Sequence, residues 1–322
     1  MQRKQRKMSG KKKAKGELEI IRYLRKRFPK RRSEISEGIG EDAMVFRDGY
    51  VITTDSFFDK THFDLEYFSF FNLGYHTMAA SLSDIAAMGA SPLAALISLC
   101  ISKKIGMTAI RELYDGFAEL TRKYRCDISG GDIVKCPTFG LTITVIGRAK
   151  APLLRSGAKP GNSLYVTNFL GLAEAGRIAL KGKFKETEYP DAMKKHLFPE
   201  PRIKEAFKIR KYATSCIDTS DGLSTDAFHL AEESGVRIVI DASHIPIHSE
   251  VGKLCAMQHK DPTEFILSAG EDFELLFTAP KMPKVAGMTV FKIGRVMKGR
   301  GLFLAQDGQE RSIRPRGYSH VN

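Results

Sequence analysis

Hydrophobic residues recur at helical spacing near the start of the chain. In ELEIIRYLRKRF the positions Leu18, Ile21, Leu24 and Phe28 predict a short amphipathic helix over 17–28, and Pro29 marks its end. The pattern then alternates. YVITT reads as a strand from Tyr50 to Thr54, stopping at Asp55. Residues 66–88 read as a helix rich in small residues, LAALISLCI (93–101) as a buried strand, and 107–125 as an amphipathic helix. CDISGGD reads as a short strand entering a glycine turn, and FGLTITVIGRA from Phe139 as a further strand. A second unit opens near 151 with a Gly/Pro-rich loop and a strand in SLYVT. It continues with a helix over 172–181, a polar Lys-rich stretch over 182–196, and a strand in SCIDTSDG. A helix over 223–234 follows, with strands in RIVIDAS, FILSAGEDFELLFTAP and FKIGRV. Strands alternating with helices in both halves predict an α/β (α+β layered) fold of two domains, 17–150 and 151–322, behind a polar, disordered arm over 1–16.

Charge changes the picture less than its total suggests. The net charge is +14, yet 15 of the 51 Lys and Arg fall in residues 1–32, against 2 of the 37 Asp and Glu, so the rest of the chain is nearly neutral. With no aromatic residue before Tyr23, base stacking has little to work with, and weak RNA contact through 1–16 is the only nucleic-acid expectation. No apolar run is long enough to cross a bilayer, and no apolar stretch follows the basic start as in a secretory signal. The expected location is the cytoplasm. The five cysteines are odd in number and include no C-x-x-C pair, so they read as small buried hydrophobes, not a zinc site or disulfide framework.

The chemistry lies in where the aspartates sit. Asp42 is in GIGEDA, Asp55 in VITTDS, Asp84 in SLSDIAAMGA, Asp132 in ISGGDI, and Asp218 and Asp221 in CIDTSDGL. Each is at a strand end, a glycine turn or a small-residue helix, where a carboxylate can meet exposed backbone in a cleft. Asp84 has Ala80, Ser81, Ala87 and Met88 as helical neighbours and no Lys or Arg in reach, so a cation or a backbone donor is the simplest way to bury it. Asp55 follows two threonines, and such hard oxygens suit Mg²⁺ bound to a polyphosphate. Taken singly, each aspartate is equally a turn or capping residue, and Ser220 or Asp221 could cap the helix from Leu223. There is no G-x-x-x-x-G-K-[ST] loop; GLAEAGRI (171–178) reads as a loop entering a helix. Protein-kinase H-R-D and D-F-G patterns are absent too.

Together, GIGEDA, TTDSFFDKTHF, SLSDIAAMGASP, GGD, LRSGAKPGN, DTSDGLSTD, SAGEDFELLF, IGRV and RGYSH, in this order over 38–319, resemble the thiamine-monophosphate kinase family, within the superfamily of aminoimidazole ribonucleotide synthetase. The resemblance implies an N-terminal mixed-sheet domain that binds ATP and metal and pairs with a second copy into a dimeric barrel, and a C-terminal α/β domain. The implied reaction is direct in-line phosphorylation of thiamine monophosphate to thiamine diphosphate by ATP with several Mg²⁺, in a homodimer. Implied metal ligands are Asp42, Thr53, Thr54, Asp55, Asp84, Asp132, Asp218 and Asp221. Implied ATP contacts are Gly131, Asp132, Arg155 and Ser220, and implied substrate contacts are His62, Glu271 and Tyr318. No covalent or general-base residue is implied. The chain departs from the family at Glu41, where aspartate is usual, at Asn162, and in its basic arm; with no tryptophan, stacking on the substrate falls to Tyr318 or a phenylalanine. Two other readings stay open: ATP-dependent cyclisation of a formylglycinamidine ribonucleotide, and RNA binding through the arm.

Overall fold

A computed structural model describes residues 16–283 and 285–318; the basic arm, apart from Gly16, and the residues after Tyr318 in RGYSH lie outside them. The first half contains α1 (Glu17–Arg27), β1 (Ile35–Glu37), β2 (Met44–Phe46), β3 (Tyr50–Phe58), α2 (Phe70–Ala87), β4 (Ser91–Ile101), α3 (Met107–Tyr124), β5 (Asp127–Lys135) and β6 (Gly140–Arg148). Its six strands form one open sheet in the order β1-β2-β3-β6-β4-β5, in which only β4 and β5 run parallel. The inner face carries Val51, Phe57, Ile97, Leu99, Ile143 and Val145, all buried against α2. Helix α2 starts where Ser69 accepts a hydrogen bond from the Asn72 amide at 3.1 Å, and is buried nearly all round. Its small residues let α3 approach so closely that a Cβ on Gly74 would lie 2.0 Å from the Leu113 carbonyl oxygen.

The second half contains β7 (Ser163–Thr167), α4 (Leu172–Lys181), α5 (Pro190–Leu197), α6 (Ile203–Ile209), β8 (Ser215–Asp218), α7 (Leu223–Ser234), β9 (Arg237–Asp241), α8 (Ser249–Met257) and α9 (Pro262–Ser268). The strands β10 (Leu275–Ala279), β11 (Val290–Met297), β12 (Gly301–Gln306) and β13 (Gln309–Ser312) complete it. Its sheet runs β13-β12-β9-β11-β7-β10-β8 and is also mixed, with β9 and β12 parallel. The C-terminal end of α2 lies against β8, and this contact brings the two halves' carboxylates together.

The α/β alternation is as the pattern predicts, with informative differences. Strand β3 does not stop at Asp55 but pairs with β6 through Phe58. The Lys-rich stretch hides α5, whose Ala192, Met193 and His196 are buried while Lys183, Lys185 and Lys194 of the same stretch are exposed. Gly130 and Gly131 are not a turn: they lie within β5, and a Cβ on Gly131 would meet the Ile97 carbonyl oxygen at 1.8 Å, so glycine here serves close strand approach. Neither Ser220 nor Asp221 caps α7; its N-cap is Gly222, whose amide is taken by Asp226 at 3.0 Å. No helix among the described residues is long and apolar enough to cross a membrane.

Candidate active site

Where α2, β3 and β8 converge, oxygens of Asp42, Asp84 and Asp218 all lie within 4.8 Å of one another. Asp84 finds neither a backbone donor nor a basic residue as partner but the Thr53 hydroxyl, from the inner face of β3. Ser83, one position earlier on α2, donates to Asp218 Oδ2 at 2.6 Å across the domain contact. Asp42 Oδ1 accepts from Arg155 Nε at 2.9 Å and from a terminal guanidinium nitrogen at 2.6 Å. The Arg155 amide in turn donates to Glu41 at 2.7 Å, so Glu41 fixes the loop that carries the arginine. Asp55 joins the cluster from β3; its Oδ2 and Asp42 Oδ2 are buried without a hydrogen-bond partner.

Like charges this close cannot all be ionised without a countercharge. Burial raises the Asp84 pKa well above the ordinary carboxylate value, and Asp55, Asp218 and Asp42 push it further. Asp218 rises to about 8 through burial and its neighbour Asp42, against the pull of Ser83 and Arg155. Asp55 rises to about 6 through burial, against the pull of the Ser81 hydroxyl beside it. Burial lifts Asp42 as well, while Arg155 pulls it back. Burial works against the Arg155 charge, but Asp42, Asp218 and Asp84 outweigh it and hold that charge firmly. One guanidinium against four carboxylates leaves the site short of positive charge. Two orphaned carboxylate oxygens and an all-oxygen donor set are what a hard divalent cation such as Mg²⁺ fits.

The remaining expected residues lie in several places. The Ser220 carbonyl accepts the Glu271 amide at 2.9 Å and the Asp221 carbonyl accepts the Tyr318 amide at 3.0 Å, so Ser220, Asp221, Glu271 and Tyr318 share one set of adjoining loops. His62 sits in the turn after β3, its Nδ1 accepting the Phe58 amide at 3.1 Å. Thr54 faces the opposite side of the sheet from Thr53, with its hydroxyl 3.0 Å from that of Thr144. Gly131 and Asp132 lie on the edge strand β5. Asp132 is in one row with Ser98, Thr142 and Ser56, three strand spacings of about 4.8 Å from β3. Its carboxylate accepts the Ile133 amide at 2.8 Å.

Sequence reasoning passed over two features. A cleft of about 660 Å³ has Asp42, Thr53 and Thr54 in its lining, together with apolar Phe28, Ile35, Ile39 and Met44 and basic Arg27, Lys30, Arg31 and Arg32. The basic run is visible as charge, but only the fold brings it into one cleft with Asp42. The other is the pair His76 and His196, buried beneath Glu271; nothing local in either segment marks them. A second carboxylate–histidine group, Asp191, His248 and Glu250, is poorly suited to metal. His248 Nδ1 accepts the Glu250 amide at 3.3 Å, which leaves the hydrogen of the neutral ring on Nε2, and Glu250 is committed to the Asp191 and Ala192 amides.

Residues 40–149 match the family described as AIR synthase related protein, N-terminal domain. The thiamine-monophosphate kinase of Aquifex aeolicus is 34% identical over 84% of this chain and 87% of its own length, and that of Escherichia coli K12 is 32% identical over 95% and 98%. Among solved structures, AaThiL complexed with AMPPCP and TMP superposes with a TM-score of 0.87 at 32% identity, covering 95% of this chain and 97% of that one. A chain of a HypE–HypF complex, at 18% identity and a TM-score of 0.72 over 92% and 99% of the two chains, shares the fold alone.

Proposed function

The chain belongs to the thiamine-monophosphate kinase family, and from that premise we propose that it transfers the γ-phosphoryl group of ATP directly to the phosphate of thiamine monophosphate, giving thiamine diphosphate and ADP. The observation that carries this reading is the cluster of Asp42, Asp84 and Asp218 with orphaned oxygens on Asp42 and Asp55, where Asp42 also lines a cleft that carries four basic side chains. Phosphoryl transfer needs little covalent chemistry from the protein; it needs donor and acceptor held in line and their charge neutralised.

Asp42, Asp55, Asp84 and Asp218, with Thr53 and with Asp221 on the neighbouring loop, would hold Mg²⁺. The ion supplies charge neutralisation of the phosphates when bound. Arg155 keeps Asp42 in place, and Glu41 keeps Arg155 in place. Apolar Phe28, Ile35, Ile39 and Met44 suit a purine ring, and Arg27 and Lys30 to Arg32 suit its phosphates. Glu271, His62 and Tyr318 are the thiamine side. Thr54, Gly131 and Asp132 take part through a second copy: the outer face of the six-stranded sheet is bare, with Phe58, Leu96 and Val134 exposed, and pairing two such faces into a barrel covers it. A homodimer in the cytoplasm follows from this reading.

The test is direct. Purified protein with ATP, Mg²⁺ and thiamine monophosphate should yield thiamine diphosphate and ADP in equal amounts, read by chromatography. Turnover of a formylglycinamidine ribonucleotide with none of thiamine monophosphate would replace this function by cyclisation.

A further inference from the structure

Two histidines are buried beneath Glu271, and the metal chemistry makes no use of them. His76 comes from α2 and His196 from the last turn of α5; their side chains are 2% and 1% exposed. His76 Nδ1 lies 2.7 Å from the backbone carbonyl oxygen of His196. A carbonyl only accepts, so Nδ1 carries the hydrogen and Nε2 of the neutral ring is a bare lone pair. That lone pair faces Glu271 Oε1 at 3.9 Å. Glu271 Oε2 lies 3.6 Å from His196 Nδ1, and neither ring nitrogen of His196 has a hydrogen-bond partner. A lone pair facing a carboxylate oxygen is repulsive, and a proton between the glutamate and His76 relieves it; a buried imidazole without partners is costly, and Glu271 Oε2 is the acceptor that faces His196 Nδ1.

We propose that His76 and His196 are positioning residues for Glu271: His76 Nε2 accepts its carboxyl proton, His196 Nδ1–H donates to its other oxygen, and the lone pairs left over face outward to take N–H donors of an amino-substituted heteroaromatic ring. This rests on the thiamine monophosphate reading, whose aminopyrimidine is such a ring. Glu271 itself is a third exposed. Tyr67, Phe68 and Phe273 pack round the histidines at 5.3–5.9 Å between ring centres. The charged groups facing Glu271 are Glu174 and Arg177 of α4, which pair with each other at 2.6 Å, and Asp272 of its own loop. Although a third exposed, the carboxyl is crowded by protein, and burial and Glu174 raise it to about 7. Burial takes His76 down to about 4 and His196 well below its ordinary value, so the proton stays on the glutamate side.

The loop is built to hold this geometry. Glu271 and Phe273 both have left-handed backbones, φ 64 and 50, a conformation that side chains other than glycine resist. Asp272 anchors one side by accepting the Gly171 and Ala173 amides at the start of α4. Glu274 anchors the other, buried between Lys195, Arg202 and the Thr167 hydroxyl.

Nitrogen NMR of ligand-free protein with isotope-labelled histidine tests the pairing. His76 should be protonated at Nδ1 and bare at Nε2 from about pH 6 to about pH 8, and its Nε2 signal should follow a titration that Glu271→Gln abolishes. A hydrogen on Nε2, or a signal indifferent to Glu271→Gln, would overturn it. Asparagine at 76 keeps a donor near Nδ1 and places nothing at Nε2. His76→Asn should therefore raise KM for thiamine monophosphate about tenfold and leave KM for ATP alone; equal rises in both would also overturn it. The NMR needs no substrate: the expected spectrum without any turnover of thiamine monophosphate would sink the proposed function and leave the pairing standing.

Discussion

Asp218→Asn should stabilise the metal-free protein while abolishing its activity. Asp218 is 2% exposed, and its pKa stands at about 8, from an ordinary 3.8. A carboxyl whose folded pKa lies above its unfolded one favours folding fully below the unfolded value and loses that contribution as pH rises to the folded one, here between about 4 and about 8. Four units at 1.36 kcal/mol each set an upper bound of roughly 5 kcal/mol, and water entry and shared protons among the four carboxylates bring the expected effect to about 2 kcal/mol. Asparagine still accepts from Ser83, and its amide can donate to Asp42 or Asp84, so the variant repacks without an orphaned group. In chelator at about pH 8, the melting temperature should rise by roughly 5 °C in the variant, and its fall between about pH 5 and about pH 8 should flatten relative to the unsubstituted protein. Added Mg²⁺ should stabilise the unsubstituted protein more than the variant. A variant that melts lower than the unsubstituted protein in chelator, or a melting temperature independent of pH in both, would refute the picture of a charge-strained cluster.

Three further outcomes follow from the same geometry. Arg155→Met leaves Asp42 buried without its counter-ion and should cost about 3–5 kcal/mol by denaturant unfolding, with turnover lost; a cost below about 1 kcal/mol would show the pair to be solvated. Reversing Arg31 and Arg32 together to Glu should raise KM for ATP by at least about tenfold and leave KM for thiamine monophosphate unchanged, since neither residue has an ion pair among the described residues whose loss could unfold the chain. Leu96→Glu with Val134→Glu puts charge on the bare outer face and should turn a dimer into a monomer by light scattering, with activity lost; an active monomer would remove Asp132 from the site.

Much of the fold is legible because it is local. The spans 172–181 and 223–234 are helices with those same bounds, since an amphipathic period and its breakers act over a few residues. The motif segments likewise identify the family from their order along the chain. Where local signals conflict, the local pattern misleads: lysines mask α5, and glycines that serve a close strand contact carry the signature of a turn.

From the sequence alone follow the α/β alternation, the ordered motifs that carry the aspartates, and the confinement of the excess charge to one end. Which of those carboxylates meet depends on how the two halves pack. Asp42, Asp84 and Asp218 are separated by up to 176 residues, the span from position 42 to 218, and converge because α2 packs across both halves. Asp132, equally prominent in its motif, is carried by strand order to the far edge of the sheet. The partner of Asp84 is a threonine hydroxyl chosen by the register of β3, and Glu271 stands over two histidines that arrive from separate helices. Periodicity constrains neighbours along the chain, whereas a site is a set of contacts between distant segments, fixed by register, packing and burial.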